Sequence, residues 1–217
     1  AKLLVMRGHQ MELTDCGRAL MERAQPIVNE FDSLSDVVQD VLSLTTGIVR
    51  VGITPMIAVL YLAPVITEFC NRFPGIELKL FENGSYVIRE QVSQGELDFG
   101  ICIRDDLIDS KDQGLEEKIL FQDEMCLLVH ESNKLSTEKS IRFEQLAHER
   151  FNLYNAGYAL KDAIFSRCCD AGFEPILNIS SSKAHFLIKM AACGNGICLL
   201  PYPYAIQYKT SEISIIP

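Results

Sequence analysis

Strand-like and helix-like segments alternate along this sequence, and that alternation limits the fold more than any other feature. The apolar segment "IVRVGITP" is followed by "MIAVLYLAPVITEFCNRF", which has helical spacing, and by "PGIELKLFENGS", in which apolar residues alternate with polar ones. The helix-like "YVIREQVSQG" and the strand-like "ELDFGICI" complete the unit. This β-α-β-α-β order is typical of a doubly wound parallel sheet with right-handed crossovers. Pro64 predicts an internal kink or a break in the first helix.

The same alternation returns in the second half of the chain. After the strand-like "KILFQDEMCLLVH", the predicted strands "RFNLYN", "EPILNIS" and "GICLLP" are separated by the predicted helices "YALKDAIFSRCCDAG" and "SKAHFLIKMAACG". We therefore predict an α/β fold with two Rossmann-like lobes and a cleft between them, preceded by a long linker helix. The predicted limits are 15–46 for this linker helix, 47–126 for lobe 1 and 127–217 for lobe 2.

The predicted linker helix carries an apolar stripe at heptad spacing. Thr14 is its expected N-cap, and Pro26 lies within it. A narrow stripe flanked by charge favours self-association over packing of the helix on its own domain, which is the alternative. The predicted dimerisation residues are Leu13, Leu20, Ala24, Ile27, Phe31, Leu34, Val38 and Val41.

Charge and cysteine content exclude some classes of function. The net charge of −9 disfavours non-specific nucleic-acid binding by the body of the chain, whereas basic residues outnumber acidic ones in the first 25 positions. No apolar run is long enough to cross a bilayer, so no membrane partner is predicted. Most of the eight cysteines fall in apolar periodic segments, without metal-ligand or disulfide spacing. This pattern predicts reduced thiols and a cytoplasmic protein.

No catalytic constellation is present in the sequence. The four histidines lack metal-binding spacing, and there is no nucleophile elbow or Walker loop. The segment "GNGICLL" precedes a predicted strand, so it does not match a dinucleotide fingerprint. We predict that the chain is not an enzyme and has no metal site and no cofactor.

A ligand site is predicted where the strands of the two lobes end and helices begin. Hydroxyls and free amides at helix starts suit a carboxylate or another small anion. The same residue types are also favoured as ordinary N-caps, which is the alternative for each of them taken singly. Arg104 closes the third strand and could serve as a charge partner or as a solvated arginine paired with a neighbouring aspartate. The predicted effector-binding residues are Thr54, Pro55, Met56, Asn83, Gly84, Ser85, Arg104, Asn155, Gly157, Tyr158, Ser181, Ser182, Lys183 and His185.

Several segments, in order, resemble the LysR-type transcriptional regulators. The stretch "LTDCGRALMERAQPIV" resembles the junction between their winged helix-turn-helix and linker helix. The segments "LAPVITEFCNRFPGIELKLFENGS" and "GELDFGI" resemble the start of their effector-binding domain, and "AACGNGICLLP" is similar to a strand and turn near the end of its second lobe. The resemblance implies a fold like that of type 2 periplasmic binding proteins, a small-molecule effector, and a homodimer or homotetramer.

The resemblance also implies where DNA is bound. Residues 1–14 resemble the wing of the DNA-binding domain, whose reading helices would lie upstream in the parent protein. Within this chain, Arg7 and His9 are the predicted DNA contacts, with solvated loop charges as the alternative.

Two other functions remain open at this stage. The first is a solute-binding protein of a transporter, which shares the two-lobed architecture but is disfavoured by eight cysteines and an N-terminal heptad stripe. The second is a thiol-based redox sensor, since the family includes peroxide sensors. Here Cys168 and Cys169 are vicinal, but Ala159 occupies the position expected for a reactive partner.

Overall fold

The computed structural model describes residues 1–7, 10–42, 46–104 and 114–217, with the side chains of residue 7 and of residues 34–42 outside that description. The first lobe is built on three parallel strands. β3 (Gly47–Ile53) lies between β4 (Ile76–Glu82) and β5 (Phe99–Ile101), and Gly47 pairs with Ile76. The β-α-β-α-β unit predicted from the alternation of apolar segments is therefore confirmed.

The helical run between β3 and β4 has no non-helical residue, but it changes type just before Pro64, where the sequence predicts a kink or a break. Short α2 (Pro55–Ile57) passes into a π-helical turn at Ala58–Leu62 and then into α3 (Ala63–Arg72). Proline has no N–H to donate to the preceding turn. A π turn just before it changes the bonding register and allows the helix to continue without a break.

The second lobe combines antiparallel and parallel pairs. β6 (Met125–His130) lies between β10 (Ile213–Ile216) and β9 (Cys198–Pro201) and is antiparallel to both. β7 (Arg150–Tyr154) pairs in parallel with β8 (Ile176–Ser181), and a single parallel bridge joins β7 to the turn before β9. The predicted boundary between lobes at 126/127 falls inside β6, and the domain limits stay a prediction.

The helices of the second lobe are α5 (Ala159–Asp170), α6 (Ala184–Ala192) and α7 (Tyr202–Ala205), with 3₁₀ turns at Lys134–Thr137, Phe143–Leu146 and Ile206–Tyr208.

The larger apolar core belongs to the second lobe. Leu128, Leu187 and Leu200 are completely buried in it, and Met56 of α2 reaches across from the first lobe into the same cluster. The first lobe holds a smaller cluster around Ile53. The short helix α2 therefore contributes to the packing between the two lobes.

Helix α4 (Ser85–Ser93) packs very closely on the first-lobe sheet. Its Ile88 is completely buried. A Cβ placed on Gly100 would lie 2.3 Å from Cγ2 of Ile88, and one on Gly52 would lie 2.8 Å from the same atom. Only glycine allows this approach at both positions, so α4 and the sheet form one tightly packed layer pair.

The N-terminal segment forms a hairpin followed by one long helix. β1 (Leu4–Arg7) pairs antiparallel with β2 (Gln10–Leu13), and α1 (Asp15–Leu42) runs through Pro26. Thr14 is the N-cap as predicted, because its Oγ1 accepts a hydrogen bond from the Gly17 N–H at 3.0 Å. Among the described helices, none is long and apolar enough to span a membrane.

Three residues of the apolar stripe of α1 face away from the rest of the chain. Leu20, Ile27 and Phe31 are 50%, 68% and 70% exposed, whereas the polar Gln25 and Asn29 on another face are half-buried. The alternative that this stripe packs on its own domain is therefore wrong for these three residues. Leu13 and Ala24 are half-buried, and the side chains of Leu34, Val38 and Val41 lie outside the described residues. Dimerisation through the stripe stays a prediction.

Candidate functional site

A cavity lies between the two lobes at the carboxyl end of β3. Its volume is about 10 Å³, which is room for about one water molecule, and it opens to solvent. Small-molecule sites measure about 300–1,000 Å³, so a ligand larger than water would fit here only with the lobes further apart. Side chains from both lobes line it, namely Thr54, Pro55, Met56, Ser85, Ile103, Tyr154, Tyr158, Ala159 and Leu160.

Two helices from different lobes begin at this cavity. Ser85 is the first residue of α4 and Ala159 is the first residue of α5, and both line the space. The N–H groups of a first helical turn have no partner within the helix, and the helix dipole places partial positive charge there. Free amides and partial positive charge at helix starts are features that bind anions in proteins.

Thr54 is the most informative residue of the cavity. It is 3% exposed and occupies the N-cap position of α2, yet its hydroxyl makes no capping bond. Its Oγ1 has no hydrogen-bond partner among the described residues. Leaving a buried hydroxyl unpaired costs about 1–3 kcal/mol, so the alternative of an ordinary N-cap does not account for this threonine.

An aromatic wall closes the second-lobe side of the cavity. The rings of Tyr154 and Tyr158 stack with their centroids 5.0 Å apart and an interplanar angle of 22°. Burial raises the pKa of Tyr154 above its ordinary value, and burial together with the Glu82 carboxylate raises the pKa of Tyr158. Both phenols are therefore uncharged at neutral pH and offer apolar ring faces.

Two predicted glycines bring the lobes into direct contact beside the cavity. A Cβ placed on Gly84 would lie 2.2 Å from the carbonyl oxygen of Gly157. Gly157 itself has a φ of +92°, in the region that favours glycine. The loops that precede α4 and α5 can therefore approach each other only because Gly84 lacks a side chain, whereas a Cβ on Gly157 would meet nothing within 4 Å and glycine is favoured there by its φ.

The remaining predicted residues divide by position. Asn83 and Asn155 follow β4 and β7 and donate backbone N–H bonds to Ile53 and Ser181, respectively. The hydroxyl Oγ of Ser181 accepts a hydrogen bond from the Lys183 N–H at 3.1 Å, as in an ordinary turn. Seven predicted residues therefore do not line the cavity, namely Asn83, Arg104, Asn155, Ser181, Ser182, Lys183 and His185. The ring of His185 instead packs against Tyr208, with centroids 5.2 Å apart.

The sequence reasoning missed Ile103, Tyr154, Ala159 and Leu160, which all line the cavity. Each is an apolar or aromatic residue within two positions of a predicted one, so its identity gave no separate signal. It also missed Arg89, which lies four residues after Ser85 and hence on the same face of α4. That spacing was visible in the sequence.

Arg89 places a buried positive charge one helical turn from Ser85. Its Nη1 donates to Oε1 of Glu117, while its Nε and Nη2 are buried without a partner among the described residues. The thiol of Cys102 lies near this pair. Burial raises the pKa of Cys102, and the Glu117 carboxylate adds to that rise while Arg89 opposes it.

All eight cysteines fall within the described residues and are free thiols. Cys168 is buried while its neighbour Cys169 is exposed. Burial raises the pKa of Cys168 to about 11, and Cys169 adds to the rise. This environment disfavours the thiolate that a redox sensor needs. Cys16, Cys70 and Cys193 are exposed, so the apolar segments in which they fall do not bury them.

Comparison with protein families identifies the kind of domain. The model described as the LysR substrate binding domain matches residues 43–217. The chain belongs to the LysR family. Its fold is accordingly that of the LysR effector-binding domains, which is the type 2 periplasmic-binding-protein-like fold expected from the sequence.

Known relatives of this LysR domain are transcriptional regulators. The chain is 28% identical over 216 residues to the uncharacterized HTH-type transcriptional regulator YwbI of Bacillus subtilis, and the match covers 100% of the chain and 70% of YwbI. It spans about two thirds of the length of the curated relatives that it matches.

Solved structures share the fold of this LysR domain. The effector-binding domain of QuiR in complex with shikimate has a TM-score of 0.69 at 14% identity, covering 79% of the chain and 80% of that domain. The BenM effector-binding domain with its effector benzoate has a TM-score of 0.62 at 22% identity, covering 78% and 76%. At these identities the likeness shows the fold alone.

Proposed function

We propose that this LysR effector-binding domain binds a small organic anion, such as a carboxylate, in the cavity between its lobes. The observation that carries the proposal is the unpaired, buried hydroxyl of Thr54 in a cavity that two helix N-termini share. A ligand oxygen hydrogen-bonded to Oγ1 of Thr54 would remove the cost of leaving that hydroxyl unpaired.

The charge distribution around the cavity favours an anion over a neutral ligand. The first-turn amides of α4 and α5 approach from opposite lobes, and Arg89 lies one turn behind Ser85. A carboxylate accepts hydrogen bonds from backbone N–H groups and hydroxyls at such helix starts. Glu117 balances part of the Arg89 charge, so the helix termini are the main reason to expect an anion.

The apolar lining indicates what the rest of the ligand is like. Met56, Ile103 and Leu160, together with the stacked rings of Tyr154 and Tyr158, leave few polar groups for the ligand body. A compact apolar or ring-shaped body with one acidic group matches the chemistry of this lining, and the lobes would have to separate to admit it. The acids bound by the QuiR and BenM domains, shikimate and benzoate, are of this general type and serve as probes.

A ligand in this cavity would contact both lobes at once. It would therefore stabilise one arrangement of the lobes over others, which is the thermodynamic basis of a sensor. We propose that the parent protein is a transcriptional regulator that binds DNA through an upstream winged helix-turn-helix, and that it dimerises through the exposed stripe of α1. The exposed Leu20, Ile27 and Phe31 and the HTH-type relatives support this arrangement.

Isothermal titration calorimetry with benzoate and shikimate tests the ligand site. Thr54→Val keeps the shape of the side chain and removes the hydroxyl, so we expect the affinity for the bound acid to fall about tenfold. The unliganded variant should be as stable as the parent or more so, by about 1 kcal/mol, because it loses an unpaired buried group.

Thr67→Val is the matched control. Thr67 is exposed on α3, and its hydroxyl donates to the carbonyl oxygen of Ala63 in its own helix. Its affinity for the acid should equal that of the parent chain. Equal affinity of the Thr54 and Thr67 variants, or no heat with either acid, would contradict the proposed site and ligand class.

A further inference from the structure

Helix α1 contacts the first lobe through a polar pair rather than through its apolar stripe. Nδ2 of Asn29 donates a hydrogen bond to the carbonyl oxygen of Gly95 at 2.7 Å, and Nε2 of Gln25 donates to Oδ1 of Asn29 at 3.1 Å. The second bond fixes which end of the Asn29 amide faces the lobe. Gln25 and Asn29 are one turn apart on the half-buried face of α1.

The acceptor of this contact lies in a loop that is fixed to α4. The Gly95 N–H donates to the Val92 carbonyl at 3.1 Å, and the Glu96 N–H donates to the Gln91 carbonyl at 2.9 Å. Gly95 has a φ of +72°, as expected for a glycine that ends a helix. The orientation of its carbonyl is therefore set by the end of α4.

The loop is also anchored in the first-lobe sheet. Leu97 is buried, and a Cβ on Gly52 would lie 2.6 Å from its Cδ1. With Ile88 packed against Gly52 and Gly100, both the middle of α4 and the loop after it are held against the same sheet. Closely packed interiors of this kind move as a unit.

The two ends of α4 thus lie at two places that matter for a sensor. Ser85 at its beginning lines the cavity, and Gly95 just after its end accepts the hydrogen bond from Asn29. The nine residues of α4 span about 13 Å. A rigid element therefore runs from the cavity to the linker helix within one lobe.

We propose that Asn29 is a positioning residue that fastens the linker helix to the first lobe, so that α1 follows the orientation of α4 when a ligand changes the arrangement of the lobes. The second half of this statement rests on the proposed function, since it requires a ligand between the lobes. The proposed coupling runs from Ser85 through the packed helix α4 to Gly95 and then to Asn29.

Hydrogen–deuterium exchange of the full chain tests the contact without any ligand. In Asn29→Ala we expect the amides of residue 25 and residues 27–33 to exchange about threefold to tenfold faster, because one intramolecular hydrogen bond holding α1 to the lobe is lost. Alanine is a better helix former than asparagine, so faster exchange is not attributable to weaker helix propensity. Asn29→Asp, which keeps the shape but lacks the N–H donor, should show the same increase.

Glu30→Ala is the matched control, since Glu30 is the next residue and is exposed on another face of α1. Its exchange should equal that of the parent chain. If the Asn29 and Glu30 variants exchange alike, the contact does not hold the helix and the proposal is wrong.

The same measurement with saturating benzoate or shikimate, whichever gives heat, tests the coupling. The parent chain and Glu30→Ala should show at least about a twofold change in exchange over residues 25–33 on ligand binding. Asn29→Ala should lose this change while binding the acid within about twofold of the parent affinity. An undiminished ligand response in Asn29→Ala overturns the coupling.

The outcome for the ligand is separate from the outcome for the contact. If neither acid gives heat, the proposed ligand class fails, and the ligand-free exchange of Asn29→Ala alone decides whether Asn29 fastens α1. If an acid binds but hydrogen–deuterium exchange does not differ between the Asn29 and Glu30 variants, the proposed function stands and the positioning role of Asn29 is wrong.

Discussion

Helices α1 and α6 both carry apolar side chains at helical spacing, but they use them in opposite ways. In α6, Leu187, Ile188 and Ala191 are almost completely buried against the strands of the second lobe. In α1, Ile27 and Phe31 are mostly exposed, and the helix touches its own lobe through polar groups. Similar periodicity can thus place apolar side chains in the core of a chain or leave them on its surface. The two helices differ in which face packs on the rest of the chain: the apolar face in α6 and a polar face in α1.

The largest expected difference between the two helices is in stability. Leu187→Ala should lower the free energy of unfolding by about 2–5 kcal/mol, because it removes a completely buried side chain and leaves a cavity. Leu20→Ala, the same substitution in α1, should change the free energy of unfolding of the monomer by less than about 0.5 kcal/mol. Urea unfolding at low protein concentration measures both. Comparable losses would show that α1 packs on its own chain after all.

Cysteine reactivity gives a second contrast between the exposed helix and the buried lobe. Cys16 lies exposed on α1, whereas Cys168 is buried in α5. A rise of the Cys168 pKa from its ordinary 9.0 to about 11 reduces its thiolate about a hundredfold at pH 8, because a raised pKa favours the protonated form below it. Alkylation of the native chain at pH 8, followed by mass spectrometry, should label Cys16 at least about a hundred times faster. Rapid labelling of Cys168 would instead revive the redox alternative.

The smallest of the three effects concerns self-association. Ile27→Asp places a charge in the exposed stripe of α1, and we expect it to weaken association of the chain at least about tenfold, because the carboxylate would have to be buried between two copies. Sedimentation velocity over a range of concentrations measures the shift. Val65→Asp, which adds the same charge at an exposed valine of α3, is the control and should associate like the parent chain. An unchanged association of Ile27→Asp would show that the stripe does not join two copies.

Several elements could be predicted because their signals are local. The strand "IVRVGITP", the N-cap at Thr14 and the helix closed by Gly172 each depend on residues within a few positions of one another. The order of these elements along the chain also limits the topology, since parallel strands joined by helices form few arrangements. Pro64 marks the irregular turn in the same local way, although the sequence did not show that the turn is π-helical.

The candidate site could be predicted only in part, because only some of its residues carry a local signal in the sequence. Thr54, Ser85 and Tyr158 were found because strand ends and helix starts mark one edge of a sheet. Ile103, Tyr154 and Leu160 were not, since an apolar residue beside a strand end looks the same whether it lines a cavity or fills a core. Ser182, Lys183 and His185 satisfy the same local rule but lie away from the cavity.

The sequence by itself determined the alternation of strands and helices, the heptad stripe of α1 and the residue types at the strand ends, because periodicity and capping act over a few residues. Only the tertiary structure decided that Gly84 meets Gly157, that the hydroxyl of Thr54 is left without a partner, and that α1 turns a polar face to its own lobe. Those features depend on contacts between residues far apart in the chain, and their free energies depend on what each group packs against rather than on the group itself.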